Sequence, residues 1–215
     1  MCEKPVSRYG GARTRLGGVA ALAVLVGLSG CSPQYATDNS ASVNLIIASI
    51  NNGAKLDSDV LNGTGTGTNG QPDTTFICPD SVPVAVAVRN KNPNAPAPNV
   101  PSAVVIQSYE VRYVRTDGRA VEGVDVPYRI TGQMSFSVDV ATSGTSSFPL
   151  EVVRRQAKVE PPLSSIFQTA VLTVIAQVTL YGQTVSGDRV TATGALQIDF
   201  GDFFDKATSC PTTTS

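Results

Sequence analysis

The segment TAVLTVIAQVTLY, residues 169–181, decides the fold. Ala170, Leu172, Val174, Ala176, Val178 and Leu180 occupy every second position, the period of a strand with one buried face. The intervening Val171, Thr173, Ile175 and Gln177 are only partly polar. A second long alternation follows Gly182-Gln183: Val190, Ala192, Gly194, Leu196, Ile198 and Phe200 point inward, and Thr191, Thr193, Gln197 and Asp199 outward. Upstream, Val82, Val84, Val86 and Val88 alternate with Pro83, Ala85, Ala87 and Arg89.

The remaining strands are read in the same way. Residues 103–115 place Tyr109, Val111 and Tyr113 on one face and Glu110 and Arg112 on the other, before the turn signal Asp117-Gly118. Met134, Phe136, Val138 and Val140 give another strand, Phe148, Leu150 and Val152 the next, and VNLIIASI from Val43 a short one. Val124 to Ile130 reads as a short edge strand, limited by Pro127. Residues 51–75, with GTGTGTNG at their centre, read as a long flexible loop, and Pro93, Pro96, Pro98 and Pro101 make 90–102 another. No helix-length 3.6-residue period occurs after residue 31, although 163–168 suits a single helical turn. The expected fold is therefore all-β, a single antiparallel β-sandwich of 7–8 strands over residues 43–210, immunoglobulin-like in general architecture. A closed barrel is the alternative. A membrane barrel is not, because the outward faces carry Asp, Glu, Arg and Gln.

Composition narrows the chemistry. The chain has 215 residues, 41% hydrophobic and 15% charged, with four cysteines, no histidine and no tryptophan. The absence of histidine removes Ser-His and Cys-His nucleophile pairs, imidazole acid-base catalysis and His-ligated metals. A net charge of −1 gives no basic footprint for nucleic acid.

The first thirty residues read as a signal peptide. Lys4, Arg8, Arg13 and Arg15 precede the uncharged run LGGVAALAVLVGL, residues 16–28. As a helix this run spans about 20 Å, short of the ~30 Å hydrocarbon core. The following Leu28-Ser29-Gly30-Cys31 resembles the lipobox of bacterial lipoproteins. That resemblance implies cleavage before Cys31, acylation of the Cys31 thiol and membrane anchoring by several acyl chains. Ser at position 32 resembles outer-membrane rather than inner-membrane sorting. Residues 31–42 then form the lipidated cysteine and its polar tether, and 211–215 a disordered tail. Removal of residues 1–30 takes four basic residues and one acidic, leaving 12 basic and 16 acidic residues and a net charge of −4.

Cys2 leaves with the signal and Cys31 carries lipid, so Cys78 and Cys210 remain. In an oxidising compartment they are expected to form one disulfide, joining the approach to the Val82 strand to the end of the last strand.

Few motifs point to catalysis. Gly65 to Gly70 satisfies G-x-G-x-x-G, but Gln71-Pro72-Asp73 follows instead of a helix. Asp199-Phe200-Gly201 has no accompanying kinase segments, and no G-x-S-x-G or S-x-x-K is present. Asp199, Asp202 and Asp205 recur every third residue and form a weak calcium candidate without EF-hand spacing. Arg154-Arg155 reads as a solvated strand end with anion-binding chemistry in reserve. Tyr109, Tyr113, Tyr128 and Tyr181 are candidates for a carbohydrate surface, with core packing as their ordinary role. Val86-Ala87-Val88, Asn92-Pro93-Asn94 and then Tyr109, Val111 and Tyr113 resemble the strand-NPN-strand pattern of late-embryogenesis-abundant sandwich domains, which implies a small β-sandwich and no catalytic site.

The expected function is that of a lipid-anchored envelope protein, non-enzymatic and without cofactor. It would act as a structural or interaction module for a protein partner. The alternative is a binding lipoprotein for an apolar or carbohydrate ligand. A weaker third is an enzyme built on carboxylates.

Overall fold

The computed structural model describes residues 41–60, 65–66, 72–73, 77–92, 103–140, 144–166, 170–203 and 210. The readings of the signal peptide, Cys31, the tether up to residue 40, the proline-rich 93–102, Asp205 and the tail 211–215 lie outside these residues.

The described residues are mostly strand. In order come β1 (Val43–Ile50), β2 (Leu56–Asp59), β3 (Gly65–Thr66), β4 (Pro72–Asp73), β5 (Asp80–Asn90), β6 (Ala103–Arg115), β7 (Ile130–Asp139), β8 (Ser146–Val153), one short helix α1 (Arg155–Val159), β9 (Leu172–Thr184) and β10 (Arg189–Gly201). A three-stranded sheet has the order β1-β5-β8, and a five-stranded sheet the order β2-β10-β9-β6-β7. β3 and β4 pair only with each other. The strands of the two main sheets agree with the expected number. Every pairing in them is antiparallel except β2 with β10, which is parallel. An entirely antiparallel fold is corrected on that point.

The alternation read from the sequence sets the faces. Val82, Val84, Val86 and Val88 of β5, Phe148, Leu150 and Val152 of β8, and Leu172 to Leu180 at even positions of β9 are buried. With Val190, Ala192, Leu196, Ile198 and Phe200 of β10 they join one hydrophobic cluster that both sheets line. Each fully buried aliphatic or aromatic side chain contributes roughly 1.5–3 kcal/mol relative to an exposed one. In β6 the buried parity changes. Val104 and Ile106 point inward before a bulge at Gln107, and Val111 and Tyr113 after it. One extra residue turns the inward face from even to odd positions.

Two contacts tie the sheets together. The rings of Phe136 on β7 and Phe148 on β8 lie 4.7 Å apart. The buried Tyr113 hydroxyl on β6 donates to the Val152 carbonyl on β8 at 2.7 Å. Val152 sits in a bulge, between the paired Glu151 and Val153, so its carbonyl lacks a regular ladder position.

Two expectations are corrected here. Residues 51–75 are not a continuous loop, because β2 adds to β10 with Leu56 opposite Ile198 and Asp59 opposite Gly201. The buried Val60 continues the attachment, its N–H donating to the Gly201 carbonyl at 2.9 Å. Residues 124–130 are not a strand. The Val121 carbonyl accepts N–H groups from Val124 and Asp125, and a single bridge joins Glu122 to Val126. This compact turn closes through Gly123 at φ +75, a conformation that glycine adopts without Cβ strain. The Cys78 and Cys210 sulfur atoms lie at bonding distance, 2.05 Å, with Cα atoms 5.3 Å apart.

Candidate functional site

The most open feature of the fold is an edge. β1 pairs with β5 alone, and β10 meets β2 only over Ile198–Gly201. Among the described residues, the outer edge of β1 and that of β10 over 189–197 therefore carry no neighbouring strand. These edges approach each other at Gly194, where a Cβ would lie 3.0 Å from Ile50 Cδ1 and 3.2 Å from Ile47 Cγ2. The seam holds a concavity of about 390 Å³ lined by Ile47, Ala48, Ile50, Ala54, Gly194 and Ala195, among others. A smaller one of about 70 Å³ lies further along, beside Val43, Leu45 and Val190. The lining mixes small apolar side chains with Ser49, Lys55, Gln197 and exposed polar groups of the edges. Unpaired backbone N–H and C=O groups along such an edge are a template for another strand.

A second concavity, of about 470 Å³, is lined by Tyr181, Gln107, Gln183, Arg189 and Thr191. Tyr181 is 42% exposed there, on the outer face of β9.

The third feature is buried. Lys158 on α1 is 0% exposed. Its Nζ lies 2.9 Å from Asp80 Oδ2 and donates to the Asp59 carbonyl at 2.7 Å. Ser58 Oγ donates to the same Asp80 Oδ2 at 2.6 Å. Burial pushes the Asp80 carboxyl above its ordinary value, although the nearby Lys158 charge and the hydrogen bonds from Ser58 and Lys158 pull it down. The cluster explains why the polar Leu56-Asp57-Ser58-Asp59 becomes a strand: Ser58 and the Asp59 carbonyl satisfy groups buried beneath it. The sequence reading missed Lys158. The available signals were its apolar neighbours Ala157 and Val159, and an aspartate opening the valine run of β5.

The other candidates separate. Asp199 is engaged by Lys55 Nζ at 2.9 Å, by Thr173 Oγ1 at 2.9 Å and by Gln197 Nε2 at 3.1 Å. Desolvation raises the Asp199 carboxyl, but these hydrogen bonds outweigh it and hold the group below its ordinary value. The Asp199 carboxylate is thus paired with a lysine. Asp202 follows the end of β10, Asp205 lies outside the described residues, and among the described residues no three carboxylate or thiol groups converge as a metal set. Arg154 and Arg155 are exposed, Arg154 donating to the Thr131 carbonyl at 2.9 Å. The four tyrosines do not share a surface. Tyr113 is buried, Tyr109 packs on the core with its ring over Gly132, Tyr128 lies over Gly123, and Tyr181 alone lines the outer cleft.

Comparison with protein-family models, curated proteins and solved structures finds no match to this chain.

Proposed function

We propose that this is a lipid-anchored envelope protein whose non-catalytic, immunoglobulin-like β-domain binds an extended segment of a protein partner along the β1–β10 seam. The observation that carries the reading is the pair of unpaired edges flanking a concavity of mixed polar and apolar lining. Strand addition supplies affinity through main-chain hydrogen bonds, and side chains at alternate positions give specificity. An entering strand with small side chains, able to hydrogen-bond to Ser49, Lys55 and Gln197, matches the lining. The strand order supports the immunoglobulin-like reading. β1, β5 and β8 fall where strands A, B and E do, and β10, β9, β6 and β7 where G, F, C and C′ do. The anchor rests on Leu28-Ser29-Gly30-Cys31, which precedes Val43 by only eleven intervening residues of sequence.

A photo-reactive residue at Ala195, in the full-length protein in its own membrane, tests the seam. The expected result is an adduct with a different protein, absent when the photo-reactive residue stands at the exposed Ser137 on β7, three strands from β10 in the same sheet. The adduct should also disappear in Ala48→Lys, which places charge at the exposed side of β1. Equal labelling from both positions, or labelling that survives Ala48→Lys, would overturn the proposal. Cys31→Ala should release the protein from membranes, and retention of normal fractionation would remove the anchor.

A second reading, a carbohydrate-binding lipoprotein, is favoured by the cleft at Tyr181. An exposed ring beside Gln107, Gln183 and Arg189 offers a stacking face with hydrogen-bonding groups around it. Glycan-array binding abolished by Tyr181→Ala would support it.

A further inference from the structure

We infer that Lys158 and Asp80 are set to condense into an intramolecular amide, a covalent link between α1 and the start of β5. The inference is independent of the seam and of the anchor.

The geometry combines the features such a step requires. An amine and a carboxyl are held in direct contact, Nζ to Oδ2 2.9 Å, with the lysine wholly buried. Both ends are fixed from other elements. The Asp59 carbonyl on β2 holds the amine, and the Ser58 hydroxyl on β2 donates to the carboxyl oxygen that faces it. Preorganised groups of this kind reach effective concentrations on the order of 10⁵–10⁸ M, far above any intermolecular amine. Partial burial of the Asp80 side chain, 19% exposed, removes part of the hydration that would favour its carboxylate. Burial acts on Asp80 in that direction, raising its carboxyl towards the protonated acid.

The step balances without an added oxidant or reductant. A proton passes from the Lys158 ammonium to the Asp80 carboxylate, leaving an amine and a carboxylic acid. The Nζ lone pair attacks Cγ, forming the N–C bond, and the carbonyl pair moves onto oxygen. The proton released by Nζ goes to the carboxyl hydroxyl oxygen, whose C–O bond breaks, and one water leaves. Ser58, bonded to Oδ2, relays that proton onto Oδ2 as it leaves, and the pair held on Oδ1 returns to re-form the carbonyl. The product is a secondary amide that closes a loop from residue 80 to residue 158. It is nested inside the loop closed by Cys78–Cys210 and, unlike that bond, is indifferent to reductant.

Tryptic mapping of the full-length protein, purified from its own membrane and reduced before digestion, tests this. Lys55 and Arg89 bound the peptide that contains Asp80, and Arg155 and Arg189 bound the one that contains Lys158. The expected species joins residues 56–89 to residues 156–189, uncut after Lys158, at the summed mass of the two peptides less one water. Fragmentation should place the link at Lys158 and Asp80. Complete cleavage after Lys158, with both peptides at their free masses, would reduce the contact to a non-covalent ion pair and overturn the inference. Asp80→Ala should abolish the linked species. Because that variant loses a buried partner, Ser58→Ala provides a second arm, expected to lower the linked fraction at least tenfold in freshly synthesised protein. An unchanged fraction in Ser58→Ala would remove the relay assigned to Ser58.

Discussion

Replacing Tyr113 with Phe deletes a single oxygen atom, and the structure makes that atom costly. The ring is 4% exposed and stays in the core after the change, so almost no apolar burial is lost. What disappears is the 2.7 Å bond from the hydroxyl on β6 to the Val152 carbonyl on β8. Val152 is itself 0% exposed and lies in the β8 bulge, so its carbonyl has no replacement donor in the ladder. An orphaned buried acceptor costs about 1–3 kcal/mol, and the burial of both partners places this one near 2 kcal/mol. For a chain of this size that is a fall in Tm of roughly 4–8 °C. Thermal or urea unfolding of Tyr113→Phe against wild type measures it, with Tyr181→Phe on the exposed face as a control expected to stay within about 0.5 kcal/mol. A second signature is pH. Burial, before any charge effect, pushes the Tyr113 phenol above its ordinary value of 10.0. The native state therefore keeps a proton that the unfolded chain releases, and stability falls as pH rises past 10. The Phe variant lacks that loss. The gap between the proteins should narrow above pH 10 by up to about 1.4 kcal/mol per pH unit. A variant as stable as wild type at pH 7, or a gap that does not narrow at alkaline pH, would refute the reasoning.

Reduction of Cys78–Cys210 opens a link across 132 residues of sequence, worth about 5 kcal/mol in the chain-entropy account. Calorimetry with and without dithiothreitol should show a Tm drop of roughly 10–20 °C, and an unchanged Tm would contradict the load assigned to the bond. Asp199, held below its ordinary 3.8 chiefly by hydrogen bonds that overcome its desolvation, contributes stability above that pH and loses it as pH falls through its folded value. Acid unfolding of Asp199→Asn should accordingly be less pH-dependent below pH 4 than that of wild type. Gly182→Ala would bring a Cβ within 2.9 Å of the Val105 carbonyl, a backbone atom that yields only if β9 and β6 separate. A loss of about 1–3 kcal/mol is expected in chemical unfolding.

Much of the strand content was legible because alternation is local. The valines of β5, the even positions of β9 and β10, and Phe148, Leu150 and Val152 of β8 all bury the face that their spacing marked. The pairing of Cys78 with Cys210 was also legible, by elimination once the signal and Cys31 were set aside. Less of the candidate sites was legible. Tyr181 was named, but nothing in its spacing separates it from Tyr113, which lies in the core. The partner of Asp199 was not legible in the aspartate run, because Lys55 lies 144 residues away in sequence.

The sequence by itself determined which residues want to be inside, how long the strands run and which chemistry the missing histidine denies. It also carries Leu28-Ser29-Gly30-Cys31, the segment on which the proposed anchor rests. The tertiary structure decided what depends on partners distant in the chain. A polar tetrapeptide became β2 because β10 offered an open edge, and one bulge at Gln107 reversed the inward face of β6. Lys158 is buried because Asp80 and the Asp59 carbonyl, 78 and 99 residues away, meet it there. A strand's period is fixed by its own backbone geometry, whereas the satisfaction of a buried charge or an unpaired edge is fixed only by what the rest of the chain brings beside it.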